Sequence, residues 1–119
     1  MSRVDDERLV RDQRTLFDLV AARLEKAAEN DPAIRNFDRR PYAFSLTRNG
    51  HLLTYQEGPG RKIGSGQIQW RPNPDHDLPH NFVITPSVFR AGEYQMNDGP
   101  SKTLYAIAAD IIDTFLRHT

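Results

Sequence analysis

The run RPNPDHDLPH, Arg71 to His80, places His76 and His80 with Asp75 and Asp77 among three prolines. Imidazole nitrogens and carboxylate oxygens are donors to divalent metals, and a catalytic zinc takes three of them at about 2.0–2.2 Å. Asp75, His76 and His80, with Glu93 as an outlying donor, are therefore the candidate ligands of a metal-dependent hydrolase or nuclease. The spacing argues against that chemistry. His76 and His80 lie on one side of a helix if a helix forms, but Pro74 and Pro79 oppose one. In an extended loop four residues span roughly 13 Å, so two rings share one ion only if the chain doubles back. His51 adds a third imidazole only if the fold brings it near. Proline, aspartate and asparagine are also ordinary loop formers, and the run reads as a polar connection between strands.

Other chemistries meet similar obstacles. Pro74-Asp75 followed by Glu93-Tyr94-Gln95 resembles the PD-(D/E)xK nuclease pattern, which implies acidic residues holding Mg²⁺ and a lysine orienting water. Gln95 stands in the place of that lysine, and Asp75 lies in a proline-bracketed loop. GPGRKIGSG, residues 58–66, offers glycine N–H groups, Arg61 and Lys62 to an anion. Neither GxxxxGK(S/T) nor GxGxxG is present, and strand periodicity resumes at Ile68, so the stretch reads as a hairpin loop. The serines lack a nucleophile-elbow context. The absence of cysteine excludes thiol catalysis, disulfides and thiolate metal sites from this chain. Arg35, Arg39, Arg40, Arg48, Arg61, Lys62, Arg71 and Arg90, with Phe37, Tyr42 and Trp70 as stacking groups, constitute a nucleic-acid reading. Zero formal net charge and acidic neighbours such as Asp38 and Glu57 weigh against it.

The elements that must position these residues follow from periodicity. Leu9, Leu16, Phe17, Val20, Leu24 and Ala27 form one stripe of a helix over residues 5–30, ended by Asn30-Asp31-Pro32. Gln13 falls within that apolar stripe, so its amide needs a partner, in this chain or in another. Tyr42, Phe44 and Leu46 alternate with small or polar residues as a strand does, and Asn49-Gly50 is a type I′ turn signal. His51 to Glu57 returns, with Leu53 and Tyr55 or Leu52 and Thr54 inward. Ile68 and Trp70 share a face with Gly66 on a third strand. NFVITPSVF reads as a fourth, apolar on both faces, and Pro86 directs it to an edge or a bulge. A short fifth strand falls around Glu93 to Met96. Leu104, Ile107, Ala108, Ile111, Ile112, Phe115 and Leu116 then make a broad helical face, with NDGPS supplying its start.

These elements predict one domain over residues 1–119: a two-layer α+β fold in which an antiparallel sheet of four to five strands is flanked by an N-terminal and a C-terminal helix. No apolar run approaches the roughly 18 residues of a membrane span, and the charged N-terminus is no secretory signal, so a cytoplasmic protein without membrane contact is expected. The expected function is a small binding module acting through protein–protein contacts, as adaptors, inhibitors, immunity proteins or chaperones do, with no cofactor and no catalysis. A homodimer through a sheet edge or the first helix is compatible with it. Trp70, Arg71, Arg61, His76 and His80 are the candidate binding residues. Trp70 has two readings, core or exposed anchor. The metal-dependent hydrolase and the nucleic-acid binder stand as alternatives.

Overall fold

The computed structural model describes residues 3–58, 65–72 and 81–119, with side chains from Arg8 onward. Helix α1 spans Arg3–Asn30 and buries Leu9, Leu16, Phe17, Val20, Ala21 and Leu24 along the expected stripe. Beyond its last turn, the Asp31 N–H still reaches the Ala27 carbonyl (2.9 Å), and the Asp31 carboxylate accepts from the Ala33 N–H (2.9 Å). That local bond turns the chain towards the sheet.

Strands β1 (Ile34–Arg39), β2 (Ala43–Arg48), β3 (His51–Glu57), β4 (Ser65–Arg71), β5 (Asn81–Pro86), β6 (Tyr94–Met96) and β7 (Ser101–Lys102) pair antiparallel in sequence order. Helix α2, Leu104–His118, closes the described chain and packs with α1 on one face of the sheet. The α+β order and its two layers are as expected. The strand count is seven rather than four to five. Residues 34–39 escape the alternation rule because the pairing of β1 with β2 slips between Arg35 and Asp38, where Asn36 has φ of 58°. This bulge lets Ile34 and Phe37, three apart, both turn to the core side.

The β2–β3 hairpin closes through Asn49 and Gly50 at φ of 50° and 84°, as a type I′ turn requires. Leu53 and Tyr55 face inward, while Leu52 and Thr54 line the opposite face. Asn97 and Asp98 also have positive φ and turn β6 into β7. NDGPS therefore builds a hairpin, and α2 is capped instead by Thr103, whose hydroxyl accepts from the Ala106 N–H at 3.1 Å.

NFVITPSVF is corrected as well. Its first half pairs with β4 and its second with β6, so β5 lies between two strands rather than at an edge of the sheet. The Asn97 side chain extends that cover, accepting from the Val83 N–H and donating to the Asn81 carbonyl. Pro86, which has no N–H to donate, is tolerated as the last residue of the strand.

Between helices and sheet, the rings of Phe17, Phe44, Tyr55 and Phe82 pack at centroid distances of 5.4–5.7 Å. Burial of each stabilises the fold by about 1.5–3 kcal/mol. Gly66 lies under this cluster. A Cβ there would stand 2.3 Å from Cζ of Phe82 and 2.5 Å from Nε2 of Gln13, so only glycine lets α1 approach β4 this closely. The Gln13 amide has an internal partner, donating to the Tyr55 hydroxyl at 3.3 Å. No described helix is long and apolar enough to cross a membrane.

Candidate functional site

In a meander, successive connections fall at alternate ends of the sheet. One end holds the β1–β2 turn with Tyr42, the β5–β6 connection at residues 87–93, the first half of α1 and the start of α2. The other holds His51, Arg71, Pro72 and the ends of both helices. Glu57 and Ser65, which flank the Arg61 segment, belong to the Tyr42 end, whereas Trp70 and Arg71 belong to the His51 end. Of the candidate binding residues, Trp70 and Arg71 are described, and both lie at the His51 end. Arg61 itself lies outside the described residues, as do Asp75, His76, Asp77 and His80.

At the His51 end, Trp70 is buried at 4% exposure, edge-on to Phe115 and flanked by the rings of His51 and His118. It is a core residue and presents no surface to a partner. Its indole N–H donates to Nδ1 of His51 at 3.1 Å, and the same nitrogen lies 3.0 Å from the Pro72 carbonyl oxygen. One nitrogen cannot accept from the indole and donate to the carbonyl together. The neutral ring protonated on Nε2 serves Trp70, and a ring protonated on Nδ1 serves Pro72. Arg71 is exposed on the open face of the sheet, opposite Leu52.

Arg48 ties this end together. It contacts the Asp31 carboxylate at 2.9 Å, the Leu116 carbonyl at 3.2 Å and the Thr119 hydroxyl at 3.1 Å, joining β2 to the ends of both helices. The Arg48 guanidinium, followed by the Ala33 N–H, holds the Asp31 carboxyl below its usual range. Glu93 stands at the opposite end, mostly covered and 3.8 Å from Arg90. Among the described residues no three metal-ligating side chains converge.

The Tyr42 end is built differently. Beneath its surface lies a polar layer: Gln13 with Tyr55, and Asp12 with Arg8 and Tyr94. Burial raises the pKa of the Tyr55 hydroxyl, and burial followed by the facing Asp12 carboxylate raises that of Tyr94. Glu57 pairs with Arg14 at 3.1 Å, and Arg14 also donates to the Pro41 carbonyl, stapling α1 to the β1–β2 turn.

On the surface above, apolar side chains stand in solvent. Val10, Tyr42, Val88, Phe89 and Tyr105 are exposed here, Val88 at 84% and Phe89 at 77%. The connection carrying Val88 and Phe89 is held from within. The Ser87 hydroxyl accepts from the Phe89 and Arg90 N–H groups at 3.0 and 3.2 Å and shares a 2.6 Å bond with the Ser101 hydroxyl. The Ser87 N–H donates to the Glu93 carbonyl, and the Glu93 N–H to the Arg90 carbonyl. Sequence reasoning assigned SVF to a strand because two apolar residues follow an apolar run. The available signal was Pro86-Ser87, a strand terminator followed by a residue whose hydroxyl makes turns.

Comparison with known proteins adds no kinship: no protein-family model, no curated protein and no solved structure matches this chain. The Tyr42 end, with a hydrogen-bonded connection at residues 87–93, exposed apolar groups and exposed guanidinium groups, is an arrangement suited to binding.

Proposed function

We propose that this protein is a binding module acting through protein–protein contacts, and that its partner docks on the Tyr42 end. The observation that carries the reading is the pair Val88 and Phe89, almost wholly exposed on a connection whose own hydrogen bonds hold it in place. Single exposed apolar side chains are common on soluble proteins, but adjacent ones on a braced turn are not explained by the fold they belong to. Ordering a mobile side chain on binding costs about 0.5–1.5 kcal/mol, and a loop ordered in advance avoids part of the cost of docking. Burying the two side chains under a partner returns about 1.5–3 kcal/mol each, the size of a binding hot spot.

The sheet edges are weaker candidates. β1 is bulged and carries Arg35, Asp38 and Arg39, and β7 is two residues long, both of which oppose pairing with another strand.

The test compares what the full chain retains from the lysate of its own cells, using wild type, a Val88→Ser/Phe89→Ser variant and Leu52→Ser as a control on the open sheet face. Circular dichroism and thermal melting establish that all three are folded. A protein retained by wild type and Leu52→Ser, and lost from the double variant, is the expected result. The same proteins retained by all three, or none retained specifically by wild type, refutes docking at this end.

A further inference from the structure

The sheet has a second face, opposite the helices. Because Phe44, Leu46, Leu53, Tyr55, Ile68 and Trp70 are buried under the helices, alternation turns Ser45, Thr54 and Gln69 outward. The register sets these three side by side across β2, β3 and β4, and Gln56, Gln67 and Asn81 form a neighbouring row. From β2 to β7 the outward positions are serine, threonine, glutamine, asparagine, alanine, leucine or valine, apart from Arg71 at the end of β4. Charge returns on the edge strand β1, with Arg35 and Asp38. The chain is 27% charged, and its helical surface shows it: the exposed positions of α1 include Arg11, Arg23, Glu25, Lys26 and Glu29. The open face of the sheet is where charge is withheld.

We infer that this uncharged face is where a second copy of the chain docks, sheet against sheet about a two-fold axis. Depletion of charge is the compositional mark of an interface core. A different protein is ordinarily steered and selected by complementary charge, which the middle of this face does not offer. A copy of the same chain sets different terms. A surface that meets its own image about a two-fold axis brings like against like near that axis. Charges there would repel, whereas hydroxyl and carboxamide groups both donate and accept, so they complement themselves. Leu52, 41% exposed on the same face, adds apolar area. Strands β1 to β5, each of six or seven residues, make a plate roughly 24 by 20 Å. Two such plates cover about 1,000 Å², the size at which specific interfaces begin, so the pairing is expected to be reversible and concentration-dependent. Val88 and Phe89 follow the end of β5, outside this contact, so the inference does not rest on docking there.

The experiment is sedimentation equilibrium of the full chain between about 1 μM and about 0.5 mM. The mass is expected to rise from 13.7 kDa and level off at twice that value. Thr54 and Gln69 are direct partners in the middle of the face, so a two-fold axis through it brings each near its own copy or the other's. Thr54→Lys and Thr54→Glu should each weaken the dimer about a hundredfold by setting like charges together, and an equimolar mixture of the two should restore it. The wild-type dimer should change less than about twofold in affinity between about 0.05 and 0.5 M sodium chloride. Circular dichroism and melting establish that the variants are folded; Gln69→Lys with Gln69→Glu replaces any Thr54 pair that is not. A monomer throughout the range, or a mass that keeps growing past the dimer, overturns the inference. So does a dimer that both folded charge variants leave intact, or one that they abolish and their mixture does not restore. A dimer lost instead in Val88→Ser/Phe89→Ser puts the second copy at the Tyr42 end and overturns it as well.

Discussion

Replacing Gly66 by alanine tests the packing of Phe82 and Gln13 over β4. The new methyl carbon would stand 2.3 Å from Cζ and 2.8 Å from Cε1 of Phe82, against about 3.5–4.0 Å for a comfortable carbon contact. Gln13 Nε2, at 2.5 Å, is the free end of a flexible side chain and can swing away. Phe82 cannot easily follow, because its ring is fully buried edge-on against Tyr55. Overpacking of this kind costs about 1–3 kcal/mol, and a displaced Gln13 forfeits its bond to Tyr55, about 1 kcal/mol more. Alanine also stiffens the unfolded chain, which offsets about 0.4–1 kcal/mol. The net expectation is a loss of about 2–3 kcal/mol, read as a fall of about 1–2 M in the urea midpoint for a slope typical of a small protein. Trp70, the single tryptophan, reports the transition by its fluorescence. In a Phe82→Leu background, where the clashing ring atoms are gone, the same substitution should cost less than about 1 kcal/mol. A Gly66→Ala protein as stable as wild type, or an equal cost in both backgrounds, refutes the close seating of the Phe82 ring on Gly66.

Removing the acceptor of the buried Trp70 N–H by His51→Ala should cost about 1–2 kcal/mol and shift the tryptophan emission, while His51→Gln, which can still accept, should recover part of both. Unchanged emission and an unchanged urea midpoint in His51→Ala would count against this bond. Arg48→Met removes two bonds to the end of α2, worth about 1–2 kcal/mol together, and frees Asp31; differential scanning calorimetry should show an earlier transition. Because the Asp31 carboxyl is held below its ordinary range in the folded protein, the stability it contributes is complete above its unfolded value near about 4 and disappears as pH falls through the lower folded value. Urea midpoints measured from neutral to strongly acid pH should therefore fall less in Arg48→Met than in wild type over that acid window. Equal acid sensitivity would remove Asp31 from the account.

Local periodicity made much of the fold legible. The stripe of α1, the face of α2, the Asn49-Gly50 hairpin and the shared face of Ile68 and Trp70 each follow from a spacing of 3.6 or 2, whereas in β3 the period left Leu53 with Tyr55 and Leu52 with Thr54 as alternatives that packing decided. The two marginal strands did not show, because a bulge at Asn36 breaks the alternation of β1 and two residues are too few to display any in β7. The reading of Trp70 as core or anchor was decided by α2, whose Phe115 and His118 cover it from far along the chain.

That Glu57 and Ser65 lie at one end and Trp70 and Arg71 at the other was available in principle. They are the opposite ends of the β3–β4 pair, and in an antiparallel meander one strand leads from one end to the other. The Tyr42 surface was not available. Whether Val88 and Phe89 finish a strand or stand in solvent depends on Ser87, Ser101 and Glu93 closing the turn around them. Which member of an ion pair faces outward is likewise invisible in a list of charges. The amino-acid sequence by itself determined the two helices, five of the seven strands and their order, because those follow from contacts with near neighbours and from a period. Tertiary structure alone decided which apolar residues are left without cover, because exposure depends on everything the rest of the chain has already packed.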